Sequence, residues 1–150
     1  MSFFVWKVLR NLVPVDINLK RRGISLASRY SCCLSHVETV GHLFATGPVA
    51  MAVWGFFQRR FGILKAQPSS LSARVLLWFS SASPSSRGHI RTVVPVLILW
   101  FLWQSRNSAR FDGACFGAGG VVAMIDDFEE QLGVAKKLLR CHFRGDYEDK

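Results

Sequence analysis

Residues 90–103, IRTVVPVLILWFLW, contain the most apolar run of the chain and run directly into the polar segment QSRNSARFDG. From Val93 to Trp103 the run is hydrophobic nearly all round, with Pro95 near its start. Eleven residues fall well short of the roughly 20 needed to span a bilayer. A helix that is apolar on every side but too short for a membrane belongs in the middle of a core. The expectation is a central buried helix whose continuation, residues 104–110, emerges into solvent.

The neighbouring segments supply faces to cover it. C-terminal to it, FGAGG should break the chain, after which Val121, Ile125, Phe128, Leu132, Ala135 and Leu139 repeat by fours and threes. This seam has Asp126, Asp127, Glu129 and Glu130 near its start and Lys136, Lys137 and Arg140 near its end, the arrangement a helix dipole favours. It has two readings: a lid on the chain's own apolar helix, or a coiled-coil face through which Val121, Ile125, Phe128, Leu132 and Leu139 form a homodimer.

N-terminal to the apolar run, LSARVLLWFS reads as a short helix, with Leu71, Val75 and Phe79 four apart, between the linkers KAQPSS and SSASPSSRG. HVETVGHLFATGPVAMAVWGFFQRRFG is helical with an interruption at Gly47 and Pro48, and Gly62 ends it. SFFVWKVLRNLV places Phe4, Val8 and Leu12 on one face, broadened by Phe3, Trp6 and Leu9, and Pro14 stops it. Asp16 is a cap for a second helix, INLKRRG, closed by Gly23. Trp6, Trp54, Trp78, Trp100 and Trp103 all fall on apolar faces, where tryptophan is mostly core. No segment alternates with period two. The fold class is all-α: about six helices, with a small degenerate Cys/His knuckle between the second and third. Three regions follow, a helical module over residues 1–65, a short helix with linkers over 66–88, and the two long helices over 89–150.

Charge is distributed unevenly. Residues 1–111 carry 14 Lys/Arg against only Asp16 and Glu38, a net of +12, whereas residues 112–150 carry 5 against 8, a net of −3, giving +9 for the chain. A basic body suits a polyanion such as RNA or DNA. Lys20, Arg21, Arg22, Arg29, Arg59 and Arg60, with Lys65, are the candidate phosphate contacts, clustered in the half that holds the knuckle. For the run at Lys20 the alternative is a solvated helix end that suits the negative pole of the dipole.

Cys32, Cys33, His36 and His42 lie within eleven positions, and thiolate and imidazole are the usual ligands of structural zinc. Paired ligands about three residues apart would put the partner of Cys33 at position 30, which is Tyr30, and that of His42 at position 47, which is Gly47. Cys32 and His36 are the available substitutes. The alternative makes Cys33 and His42 ordinary core residues. A vicinal pair with lone Cys115 and Cys141 is no disulfide framework, so a reducing, intracellular compartment (cytoplasm or nucleus) is expected. Lys7 and Arg10 interrupt the first apolar run, which is therefore no secretory signal. No catalytic constellation is legible. The acidic pairs are sequence neighbours at a helix start, FGAGG lacks the strand and lysine of a phosphate loop, and Ser35 beside His36 does not make a nucleophile–base pair.

The ordered series FFVWKVLRN, VPVDINLKRRGI, SRYSCC, ETVGHLF, GPVAMAVWGFF and ILWFLWQSRN resembles the zinc-binding region of plant non-LTR retrotransposon reverse transcriptases over about residues 3–140. Asp16, Asn18, Leu19, Arg21, Arg22, Gly23, Cys33, Glu38, His42, Leu43, Phe44, Trp54, Trp103, Arg106 and Asn107 stand where that pattern expects them. The resemblance implies a zinc-binding, nucleic-acid-binding accessory region of a retrotransposon polyprotein, not a catalytic one. Two of the four ligand positions it implies are Tyr30 and Gly47 here.

Overall fold

The computed structural model describes residues 3–24, 36–63, 68–80 and 86–145, in the last stretch with side chains from Thr92 to Gln131. Among the described residues the elements are helical: α1 (Phe3–Leu9), α2 (Asp16–Arg21), a π-helical turn (His42–Thr46), α3 (Pro48–Arg60), α4 (Leu71–Ser80), α5 (Ser86–Phe111) and α6 (Ala118–Gly145). The all-α expectation holds. The knuckle expected at residues 25–35 lies outside the described residues, and so do Arg29, Cys32, Cys33 and Lys65.

Three helices end by the same device. After α1, α2 and α3 the chain turns through a left-handed residue, Asn11 (φ 56°), Gly23 (φ 83°) and Gly62 (φ 67°). In each case the next amide reaches back to close the last turn: Leu12 to Lys7, Ile24 to Leu19 and Ile63 to Gln58, at 2.8 to 3.1 Å. Gly23 and Gly62 were legible as terminators. The stop of α1 was not: Asn11 ends that helix before Pro14, which leaves Leu12 exposed instead of on the buried face. Asn11 also belongs to a local lock, since its backbone and side-chain oxygens accept from the amide of Asn18 at 2.8 and 3.2 Å.

The core is a single cluster fed by all six α-helices and the π-helical turn. Val5 and Val8 of α1, Leu43 and Phe44 of the π-turn, Val53, Trp54 and Phe57 of α3 and Trp78 of α4 are all buried in it. α5 contributes Val94, Ile98, Leu99 and Leu102, so the apolar run is the central buried helix. Trp54 is tied to the π-turn as well as packed, because its indole N–H donates to the Phe44 carbonyl at 2.8 Å. α6 lays Val121 and Ile125 into this core, both fully buried, against α3 and α5.

Several expectations need correcting. Residues 36–39 are not helical; the helix begins only at Val40, and Gly47, extended at ψ 153°, separates the π-turn from α3. Asp16 is not a cap: it is the first residue of α2, and its carboxylate points to α5. The segment 104–110 does not emerge into solvent, since Ser105 and Arg106 are buried. Gly119 and Gly120 lie inside α6, so the break between the long helices falls at residues 112–117. The acidic residues 126–130 therefore sit in the body of α6 and not at its start. Of the five tryptophans, Trp54 and Trp78 are fully buried and Trp103 is half-buried, but Trp6 and Trp100 are exposed.

Candidate functional site

The described half of the Cys/His segment contains two imidazoles. His42 opens the π-turn, its amide donating to Thr39 Oγ1 at 3.0 Å, and is buried; His36 is exposed. Their rings stack, with centroids 4.8 Å apart and planes 22° from parallel. Burial, and then the neighbouring His36, lowers the pKa of His42 below its ordinary value, which favours the neutral form that a metal takes. At position 47, a Cβ built on Gly47 would lie 3.2 Å from His42 Nε2 and only 2.5 Å from the His42 carbonyl oxygen. The missing side chain is therefore matched by a backbone that has closed over its place, with the Gly47 amide donating to that carbonyl at 2.8 Å.

Zinc in a structural site takes four tetrahedral donors. Among the described residues, no group of three or more His, Cys, Asp or Glu side chains could hold a metal. His36 and His42 are two donors in a stacked arrangement, and a closed site on them needs Cys32 and Cys33 as the other two. The described residues alone do not fit the ion.

The structure brings together a set of residues that sequence reasoning named singly but did not connect. Arg106 Nε donates to both oxygens of Glu38 at 3.0 Å, and Arg106 Nη2 donates to Glu38 Oε1 at 2.6 Å. The same Nη2 lies 3.4 Å from Asp16 Oδ1, and Arg110 also pairs with that oxygen. Glu38 Oε1 accepts the Asp16 amide at 3.1 Å, and Arg106 Nη1 donates to Asn107 Oδ1 at 3.0 Å. The Arg106 guanidinium also lies over the Trp103 ring, 5.0 Å from its centroid. Two carboxylates and two guanidiniums thus form a neutral buried cluster that fastens α2 and the residues before the π-turn to α5. A signal for it was present: only two acidic residues occur in a basic stretch of 111, and a scarce charge of the minority sign is a candidate for a specific partner.

Burying Asp16 and Glu38 also decides the electrostatics of the surface. Each is 1% exposed, and they are the only carboxylates in residues 1–111. Lys20 and Arg21 in the last turn of α2, and Arg22 after it, are exposed. Arg59 is exposed at the end of α3. Arg60 is committed differently: it pairs with Asp126 of α6 and approaches Glu129 at 3.9 Å, so much of its charge is neutralised within the chain. Asp126 and Glu129 of α6 therefore answer Arg60, and not a helix pole. Among the described residues, cavities open to solvent include two of note. One of about 230 Å³ lies between α1, α2 and the start of α4 and is reached by Arg21; the other, about 490 Å³, lies between the end of α5 and α6 beside Phe111 and Phe116.

No helix among the described residues is long and apolar enough to cross a membrane. No match was found among curated proteins or among solved structures. Residues 1–54 match the family model described as zinc-binding in reverse transcriptase. The match runs from α1 through the π-turn to Trp54, and so takes in Asp16, Glu38, His36, His42 and the basic end of α2. Over those residues the chain is similar to the zinc-binding region of reverse transcriptases.

Proposed function

We propose that this chain is a non-catalytic accessory region that holds nucleic acid for a reverse transcriptase of the plant non-LTR retrotransposon kind. The observation that supports it most is the burial of Asp16 and Glu38. With both carboxylates turned inward onto Arg106 and Arg110, the surface contributed by residues 1–111 carries Lys20, Arg21, Arg22 and Arg59 with no acidic residue of that stretch to offset them. A polyphosphate backbone is the partner such a surface attracts, and displacement of its counterions supplies the affinity. The non-catalytic part of the reading is supported by what the acids are doing. Phosphoryl-transfer chemistry needs carboxylates free to hold divalent metal, whereas Asp16 and Glu38 hold arginines of α5, and Asp126 holds Arg60.

Zinc in this reading is a clamp on the segment between α2 and the π-turn, on His36 and His42 with Cys32 and Cys33. Self-association through α6 has less support, because Val121 and Ile125 are used in the chain's own core.

The test is binding of a labelled RNA or DNA as a function of salt. The logarithm of affinity should fall linearly with the logarithm of salt concentration. A variant with Lys20, Arg21 and Arg22 all changed to Ala should lose slope by roughly 0.9 for each phosphate contact removed. Affinity that is absent at low salt, or indifferent to salt, rejects the reading.

A further inference from the structure

α1 presents an unexpected face to solvent. Phe3, Trp6, Lys7 and Arg10 follow at intervals of three, four and seven, which is one stripe of a helix. The i→i−4 bond from the Arg10 amide to the Trp6 carbonyl, 3.0 Å, carries the helical path that far. The opposite side is the buried one, with Val5 and Val8 in the core. The apolar pattern of α1 predicted Phe3 and Trp6 as part of the buried face; instead Phe3 is 67% and Trp6 44% exposed. Their rings are stacked nearly parallel, 5.5 Å apart at 12°, and the Lys7 ammonium lies 4.7 Å from the centroid of Phe3. On α5 another exposed ring, Trp100, 42% exposed, meets Phe4 of α1 edge-on at 5.3 Å.

We propose that this stripe is a stacking platform for the unpaired bases of a single-stranded nucleic acid. The inference rests on the nucleic-acid reading above and adds to it which form of nucleic acid is bound, and where. Large exposed aromatics grouped on one surface mark a binding site more often than a solvated face. The partner is identified by what accompanies the rings. Lys7 and Arg10 continue the same stripe, and no carboxylate of residues 1–111 is at the surface to compete for them. Flat π-faces beside cations fit a strand whose bases are splayed and whose phosphates run alongside. In a duplex those base faces are already stacked on one another, so the platform discriminates by strandedness and not by sequence. The basic end of α2 makes no such distinction, because phosphates are available in either form.

The experiment compares fluorescence anisotropy of labelled oligothymidylate and of a labelled duplex of equal length. The proteins are the 150-residue wild-type chain, a Phe3→Ser/Trp6→Ser double variant, Trp6→Phe, and a Lys20→Ala/Arg21→Ala/Arg22→Ala variant. Both replaced aromatics are exposed, so circular dichroism should show the double variant folded. The wild type should favour the single strand. Phe3→Ser/Trp6→Ser should lose about tenfold or more of the single-strand affinity, the size expected for one stacked base, with duplex binding unchanged. Trp6→Phe should retain most of it, and the triple variant should weaken both ligands alike. Equal loss on both ligands, or no loss on either, overturns the platform and leaves the nucleic-acid reading standing. Failure of the wild type to bind either ligand overturns both. A change in oligomeric state on Phe3→Ser/Trp6→Ser with affinity for oligothymidylate intact assigns the stripe to a protein contact and overturns the proposal.

Discussion

Arg106 on α5 lies flat against the carboxylate of Glu38, 68 positions earlier, with three N–H···O contacts of 2.6 to 3.0 Å, and both side chains are almost entirely withdrawn from water. Fork-to-carboxylate geometry of this kind is strong and directional. The cost of taking Arg106, Glu38 and Asp16 out of water is offset only while every partner is present.

Removing one partner should therefore be expensive. Arg106→Met takes from Glu38 its arginine and leaves Asp16 with Arg110, and Glu38→Leu leaves Arg106 with Asp16 as its carboxylate. Each should cost about 3–5 kcal/mol in urea unfolding, the range for an uncompensated buried charge. The double variant should cost clearly less than the sum, because it removes both members of the pair. Strict additivity in the double-mutant cycle would show that the contact does not couple the segment before the π-turn to α5.

What the sequence disclosed, and what it did not, divides along the range of the forces involved. The helices were legible because periods such as that of Leu71, Val75 and Phe79 are local. The glycines at 23 and 62 were legible because a left-handed turn favours glycine. The burial of Arg106 was not, since QSRNSAR is polar by any local measure and goes inside only because Glu38 and Asp16 are there to meet it. Phe3 and Trp6 were misassigned for the converse reason: periodicity marks an apolar stripe but does not say that another element will cover it. At the candidate metal site, His36 and His42 were legible as candidate ligands from their closeness in sequence, whereas their stacked geometry and the closure of the backbone at Gly47 involve a π-turn that no spacing rule anticipates.

That closure makes position 47 sensitive. Gly47 is buried, and an added Cβ would lie 2.5 Å from a backbone oxygen, which cannot swing aside as a side chain can. Gly47→Ala should lose about 1–3 kcal/mol through overpacking. Gly47→Cys should lose a similar amount in the presence of a chelator, but it sets a thiol beside the His42 imidazole. Added zinc should then raise its melting temperature by more than it raises that of the wild type, through ligand linkage. An equal response to zinc in both proteins would mean that position 47 has lost its relation to the metal donors.

The lowered pKa of His42 has a definite sign in pH titration of stability. In the unfolded chain the imidazole takes a proton near its ordinary value of about 6.5; in the fold it takes one only at lower pH. The unfolded state therefore binds more protons between those two values, and stability rises with pH across that window. With a chelator present, so that metal does not compete, the contribution of His42 should be complete above about pH 6.5 and decline as pH falls toward the folded value. His42→Asn should flatten the pH dependence in that window relative to the wild type. Parallel curves for the two proteins would refute the assignment.

Arg60 bears on function through what restrains it. It pairs with Asp126, lies 3.9 Å from Glu129, and sits one residue from the freely exposed Arg59. Glu129 is strained in this position. Burial raises its pKa, Arg60 only partly counters that, Asp126 adds to it, and Oε1 is buried with no hydrogen-bond partner among the described residues. Asp126→Asn/Glu129→Gln should therefore change stability little, since the exposed half of the network contributes at most about 1 kcal/mol. It should, however, free Arg60 to meet a phosphate. Nucleic-acid affinity at low salt should rise, and the salt dependence should steepen by about one contact. The control is Asp127→Asn/Glu130→Gln, which makes the same change in net charge on the same helix without touching a residue paired to Arg60. A larger gain from the first pair than from the second locates the effect at Arg60; equal gains reduce it to net charge.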